Sequence, residues 1–148
     1  MPTRESAAAA LYALVSAAVG GVVGLQTSSR RLRHYDDVTP AEMPALFQAQ
    51  RPERNERGAL GLPSKRTMRF EFWLYTADPQ DPSVVPATQL NNMIDAIEAA
   101  LQQPGVTGIQ TLGSIVASAR IDGDIEFAEG VTGDGKSVAI VPVAVLLP

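Results

Sequence analysis

Residues 67–76 constrain the fold more than any other segment, because their side chains alternate in character at every position. A period of two residues is that of a β-strand with one face in a core. The apolar face comprises Met68, Phe70, Phe72 and Leu74, and the opposite face comprises Arg69, Glu71, Trp73 and Tyr75. Two aromatic residues among charges are more typical of a packed surface than of a bare one. We therefore take Trp73 and Tyr75 as candidate interface residues.

Two amphipathic segments predict helices. Thr3 is a plausible N-cap for a helix over residues 4–19, and a second helix is expected over residues 88–102. Residues 7–25 contain no charged side chain, which is also compatible with a signal peptide. Glu5 beside Arg4 and the glycines that follow the helix favour instead a helix packed on a sheet.

Further strands are predicted over residues 25–32, 44–49, 114–121, 125–128 and 137–147. Asp122-Gly123 is a turn dipeptide, so the segments on either side of it are expected to form a hairpin. Residues 51–66 are polar and contain glycine and proline, which predicts a mobile loop or a long hairpin arm. The order α-β-β-β-α-β-β-β over one domain, residues 1–148, predicts an α+β fold. Its sheet would be mostly antiparallel or mixed, with both helices on one face.

The final strand is apolar on both faces, so both faces need a cover. Pro142 has no N–H and favours an edge position or a bulge. Burial inside the chain and cover by a neighbouring subunit are both compatible with this pattern. The second alternative makes Val141, Val143 and Val145 candidate interface residues.

Charge is distributed unevenly along the 148 residues. Residues 1–74 carry ten Lys and Arg against seven Asp and Glu, a net of +3. Residues 75–148 carry two against nine, a net of −7, and the two halves add to −4. Opposite surfaces of this kind can orient stacked or adjoining subunits, although solubility alone also explains them. The acidic balance argues against a DNA-binding face.

Residues 130–137 match the letters of the phosphate-binding loop G-x4-G-K-[ST]. That loop requires a helix after it, whose N-terminal amides hold the phosphates. The residues that follow Ser137 are β-rich and include Pro142. A glycine-rich β-turn is therefore the favoured interpretation, and a nucleotide-binding enzyme remains a minor alternative.

Other catalytic or metal-binding patterns are scarce. There is no cysteine, His34 is the single histidine, and no G-x-S-x-G motif is present. Asp122, Asp124 and Glu126 alternate, but they lack the ligand spacing of a calcium-binding EF-hand loop. We accordingly expect no catalytic residue, no metal and no cofactor, and hence no enzymatic activity. A basic group remains that could dock an acidic partner or be simply solvated: Arg30, Arg31, Arg33, Arg51, Arg54 and Arg57.

The order of these features resembles the phage tail terminator (tail completion) family, which includes the lambdoid minor tail protein U. The resemblance covers nearly the whole chain. The segments that carry it are QTSSRRLRH, MPALFQAQ, RFEFWLYT, TQLNNMIDAIEAAL, ARIDGDIEF and VAIVPVAVLLP. The most specific parts are QLNNMIDAIE and VAIVPVAVL, and none is diagnostic alone.

This resemblance implies a virion protein that forms a ring, expected to be a homohexamer, at the head-proximal end of the tail. The ring would stop tube polymerisation and join the tail to the head or neck. Its partners would be other copies of itself, the tail tube protein and a head–neck connector, with DNA as passing cargo and no membrane. Assembly would occur in the host cytoplasm. Asp122, Asp124, Glu126 and Glu129 are candidates for an acidic lumen wall, where charge reversal should slow DNA passage without preventing assembly. Another neck or tube protein is the main alternative.

Overall fold

The computed structural model describes residues 3–81, 83–102, 108–132 and 135–148. It contains two helices, α1 at Arg4–Gly20 and α2 at Ala87–Leu101. The Thr3 side chain accepts a hydrogen bond from the Ser6 amide at 3.0 Å, and the Ser6 hydroxyl accepts one from the Thr3 amide at 2.8 Å. This reciprocal cap satisfies two backbone donors at the start of α1. Both predicted helices are confirmed to within about one residue at their ends.

The strands are β1 (Thr27–Ser29), β2 (Ala45–Glu56), β3 (Lys65–Ala77), β4 (Ser118–Ile121), β5 (Glu126–Thr132) and β6 (Lys136–Leu146). They form one sheet in the order β1-β2-β3-β6-β4, and β5 also pairs with β6. The β1–β2 pair is parallel and the other pairs are antiparallel. The predicted class, element order and mixed sheet are confirmed. Within them, β1 is shorter and β2 is longer than expected.

The main core lies between one sheet face and the two helices. The predicted apolar face of β3 is buried there, with Phe72 and Leu74 fully inaccessible. The matching face of β6 contributes Val141, Val143 and Val145, each at most 1% exposed. These three valines pack within their own chain, so the hypothesis that they form a subunit interface is wrong. The strand is internal, between β3 on one side and β4 with β5 on the other.

A smaller cluster covers part of the opposite sheet face. The segment between β1 and β2 includes short 3₁₀ turns at Tyr35–Asp37 and Pro40–Glu42, and it packs Val38 and Met43 on that face. Tyr75 is fully buried there, 5.5 Å from the Phe47 ring between centroids. Because this cover belongs to the same chain, Tyr75 is buried, and the prediction that it is an interface residue is wrong.

The hairpin predicted at Asp122-Gly123 is wrong. Strands β4 and β5 do not pair with each other but lie one after the other along the same side of β6. The break between them lies opposite Pro142, whose carbonyl accepts a hydrogen bond from the Asp122 amide at 3.1 Å. Proline cannot return an N–H at this point, so the interruption falls where the ladder lacks a donor. Pro142 was expected at an edge strand or at a bulge. It lies in an internal strand, opposite an interruption in strand pairing.

Candidate subunit interface

The flank formed by α1, β1 and β2 is basic, but many of its arginines are paired within the chain. Arg30 forms an ion pair with Glu5, and Arg4 forms one with Glu53 at 2.7 Å. The hydrogen bond from Arg30 lowers the pKa of Glu5. These contacts fasten the start of α1 to β1 and β2, so Arg30 has a structural partner before any neighbouring subunit is considered.

Arg33 is also paired inside the chain, with Glu42 at 2.8 Å and with the backbone carbonyl of Asp37. The Arg33 hydrogen bond, followed by hydrogen bonds from Thr39, lowers the pKa of Glu42 to about 2. The pair holds together the segment that covers Tyr75, whose hydroxyl donates to the Arg33 carbonyl at 2.6 Å. His34, the single histidine, stacks on Tyr35 with ring centroids 4.4 Å apart.

Residues 51–66, which we call the arm, comprise the end of β2, the start of β3 and the link between them. At its base Arg51 lies 3.6 Å from Glu71, and farther out Arg54 lies 2.8 Å from Glu56. Arg57, which follows β2, forms no ion pair within the part of the chain that the structure describes, and neither does Arg31. Arg57 lies on the arm, so basic charge remains unneutralised there.

The link of the arm also exposes apolar side chains. Leu60 is 96% exposed and Leu62 is 60% exposed, the two highest values among the large hydrophobic residues of the described segments. Burial of these two leucines against another surface would remove apolar area from water and would be favourable. The sequence predicted a mobile loop or a long hairpin arm here but did not indicate an apolar surface, because Leu60 and Leu62 are isolated among glycine, proline and charged residues.

The four candidate lumen carboxylates differ in their surroundings. Asp122, in the break between β4 and β5, lies 3.4 Å from Arg69 of β3. Glu129 accepts a hydrogen bond from the Ala87 amide at 3.2 Å, where a carboxylate stabilises the N-terminus of α2. Asp124 and Glu126 are exposed, and Glu126 pairs with Ile140 on the face away from the helices. The structure thus assigns Asp122 and Glu129 local partners and leaves Asp124 and Glu126 in solvent.

The flank formed by α2, β4 and β5 is acidic. Its exposed carboxylates include Asp95 and Glu98 on α2, together with Asp124 and Glu126. In the described ranges none of these four is within ion-pair distance of a basic side chain. The two flanks therefore differ in the charge that remains after internal pairing.

A groove of about 300 Å³ lies on this acidic flank beside the last turn of α2. Its lining consists of Glu98, Leu101, Gln102, Arg120, Ile121 and Ile125. The groove forms because α2 ends next to β4, and it has an apolar floor with charged residues at its rim. Nothing in the sequence pattern indicates it, since its residues come from three separate segments.

Trp73 lies on the sheet face away from the helices and is half-buried against the smaller cluster. Its indole N–H donates to Glu71 Oε1 at 3.4 Å. Unlike Tyr75, it keeps part of its ring accessible and remains a candidate contact residue.

The segment that resembles a phosphate-binding loop connects two antiparallel strands. Thr132 pairs with Lys136, and strand β6, not a helix, follows the segment. The Lys136 ammonium donates to the Tyr35 carbonyl at 2.9 Å, and the Ser137 hydroxyl donates to Asp78. Of the turn predicted at residues 134–135, residue 134 lies outside the described residues and Gly135 has φ at +74°. The Lys and Ser of the motif thus have structural partners, and the helix N-terminus that phosphate binding requires is replaced by a strand.

Among the described residues, no three or more His, Cys, Asp or Glu side chains are arranged to hold a metal ion. No helix in the described part of the chain is long and apolar enough to cross a membrane.

Comparisons with known proteins rest on the fold. No protein-family model and no curated protein sequence matches this chain. One solved chain, whose name states no function, is 17% identical over 92% of this chain and 95% of its own length, with a TM-score of 0.46. A chain from the virion of a native gene transfer agent (GTA) particle is 13% identical, with a TM-score of 0.51. That match covers 93% of this chain and 92% of the other, so this chain shares, nearly from end to end, the fold of a GTA virion chain.

Proposed function

We propose that this chain is a structural subunit of a phage-like virion that assembles into a ring and terminates the tail. The observation that carries the proposal is the fold match with the GTA virion chain over more than nine-tenths of both chains. The ring, expected to be a homohexamer, would cap the head-proximal end of the tail tube, stop its polymerisation and provide the surface that joins the head or neck. The order of sequence features that resembles the tail terminator family supports the same proposal.

The charge of the two flanks supports self-assembly. Basic charge remains on the arm of one flank, whereas unpaired carboxylates lie on the α2–β4–β5 flank. Surfaces that differ on opposite sides of a subunit favour head-to-tail contacts, which close into rings when the rotation between subunits divides a full turn. The function is structural in this proposal, and its partners are other copies of the chain, the tail tube protein and a head–neck connector. DNA passes through the ring as cargo.

Polymerisation of tail tubes tests the proposal. Tube subunits from the same particle would be polymerised with increasing amounts of the purified chain and imaged by negative-stain electron microscopy. A terminator should shorten the mean tube length and appear as a ring at one end of each tube. Incorporation along the tube would identify a tube protein instead. Tubes of unchanged length with no bound ring would remove the terminator function and favour a neck protein.

The nucleotide-binding alternative has a separate test. Equilibrium binding of ATP and GTP would be measured for the unmodified chain and for Lys136→Ala. Since the Lys136 ammonium already donates to the Tyr35 carbonyl, we expect no binding to either protein. Binding that is lost in Lys136→Ala would overturn the structural assignment.

A further inference from the structure

We infer that the arm of one copy of this chain binds the groove beside the last turn of α2 in a second copy, with Leu60 in the groove and Arg57 beside Glu98. The inference rests on the proposed function, because it names the two surfaces that meet between neighbouring subunits. It also specifies the contact as head to tail, since the arm and the groove are different surfaces.

The arm has the chemistry of a ligand for an apolar site with an acidic rim. Leu60 exposes 96% of its surface and Leu62 exposes 60%. Arg57 precedes them and is exposed, and Lys65 follows them and is exposed. Residues 57–63 are all exposed, so they make little contact with the rest of the chain. An apolar tip between basic residues gains most from a partner that buries the leucines and neutralises the cations.

The groove has the complementary chemistry. Leu101, Ile121 and Ile125 supply apolar walls around a volume of about 300 Å³. Glu98 stands at the rim, and Asp124 is exposed on the adjacent turn between β4 and β5. Arg120 also lines the groove, so its rim is of mixed charge. The surrounding flank is nonetheless acidic, because Asp95, Asp124 and Glu126 have no ion-pair partner among the described residues.

Arm and groove occupy the same end of the sheet on opposite flanks. The arm begins where Thr67 of β3 pairs with Leu146 of β6, and Ser118 of β4 pairs with the same Leu146. The groove is lined by Arg120, two residues along from Ser118, and by the last residue of α2. A contact between these two places joins different surfaces of neighbouring subunits, and such a contact closes into a ring when the rotation between neighbours divides a full turn.

Site-directed disulfide crosslinking tests the contact directly, because the chain contains no cysteine. We would prepare Leu60→Cys and Gln102→Cys as separate proteins, Gln102 being an exposed groove residue. Under mild oxidation a mixture of the two should give crosslinked dimers in excess of either protein alone. A protein carrying both substitutions should give a ladder of covalent oligomers that ends at the ring number. Val22→Cys, at a position that is 57% exposed just after the C-terminus of α1, is the matched control and should not crosslink to Leu60→Cys.

The outcomes separate this inference from the proposed function. Assembled rings without the Leu60–Gln102 crosslink would overturn the contact and leave tail termination standing. A crosslinked ring that does not shorten tail tubes would support the contact and remove tail termination. Preferential crosslinking of Leu60→Cys to itself would show a symmetric contact and overturn the head-to-tail arrangement.

Charge reversal gives a second readout. Arg57→Glu should weaken self-association roughly tenfold, because it places a carboxylate beside Glu98 of the neighbour. Glu98→Arg in the same chain should restore most of the loss, and sedimentation velocity would measure both. A double variant that associates no better than Arg57→Glu alone would contradict the pairing.

Discussion

Tyr75 shows how a single buried hydroxyl ties the covering segment to the sheet. Its ring is fully buried, and its hydroxyl donates to the Arg33 carbonyl at 2.6 Å. Burial disfavours the phenolate, which raises the pKa of Tyr75 to about 12 from the ordinary value of 10.0. The carbonyl of Arg33 is an acceptor only, so the hydrogen bond exists only while the phenol keeps its proton.

The stability of the chain should therefore fall as the pH rises from 10 to 12. In that window the unfolded chain releases the phenol proton and the folded chain retains it, so deprotonation favours unfolding. Tyr75→Phe should cost about 1–2 kcal/mol at neutral pH through loss of the hydrogen bond. It should also flatten the pH dependence between 10 and 12. Urea unfolding at several pH values measures both effects, and equal slopes for the two proteins would contradict the assignment.

Alternation predicts which side chains share a face of a strand, but not what covers that face. The pattern correctly separated Phe72 from Trp73, because a period of two is a property of the extended backbone. It did not place Tyr75 in a core, since the cover comes from the segment around Val38 and Met43, which has no periodicity. For the same reason it left open whether Val143 packs in its own chain or in a neighbour.

At the level of elements, the break between β4 and β5 lets two short strands share one side of β6. Ile121 pairs with Val143 and Glu126 pairs with Ile140, so four residues span the two positions between them. Gly123 lies in this break with φ at +120°, a conformation that strains other residues. A Cβ atom at Gly123 would lie 3.2 Å from Pro142 Cγ.

Gly123→Ala should consequently destabilise the fold by about 1–2 kcal/mol, through backbone strain and crowding against Pro142. Gly24→Ala is the matched control, because a Cβ there has no neighbour within 4 Å and φ is not positive. It should change the stability by less than about 0.5 kcal/mol. Chemical denaturation gives both values. Equal stability of the two variants would show that the break adapts without strain.

The sequence predicts elements better than their partners. Turn chemistry at Asp122-Gly123 indicates a change of direction, and the residues do leave the ladder there. Whether β5 then returns along β4 or continues along β6 depends on the long-range pairing of β6 with both, which no local pattern encodes. The length of β2 was missed because its outer half is polar on both sides, as an arm that projects beyond the core can be.

For the whole molecule, the property that governs self-association is the charge that ion pairs within the chain do not neutralise. On the basic flank, ion pairs with carboxylates of the same chain neutralise five arginines: Arg4, Arg30, Arg33, Arg51 and Arg54. On the acidic flank, few of the described carboxylates form such pairs. Composition predicted the sign of each half of the chain. It could not predict which charges remain, because every ion pair among the described residues, except those of His34 and Arg54, joins residues at least nine positions apart.

Self-association of the chain should weaken as salt is raised. The Debye length falls from about 30 Å at 0.01 M ionic strength to roughly 10 Å at 0.1 M, which screens attraction between opposite flanks. Light scattering over this range should show a decreasing mean mass at fixed protein concentration. The charge-neutralised variant Asp124→Asn with Glu126→Gln is the control and should respond less. A mean mass that rises with salt would indicate that apolar contact alone drives assembly.

The strand order sets the distance that separates the basic flank from the acidic flank. Strands β1 and β4 are four positions apart, which at the usual strand spacing is roughly 20 Å. Residual positive charge on one side and negative charge on the other therefore give the molecule a permanent electric dipole moment across the strands. Two copies that drift together in dilute buffer experience a torque before they touch, and the favoured alignment is in series. The sheet thus orients an encounter while the partners are still separated by solvent.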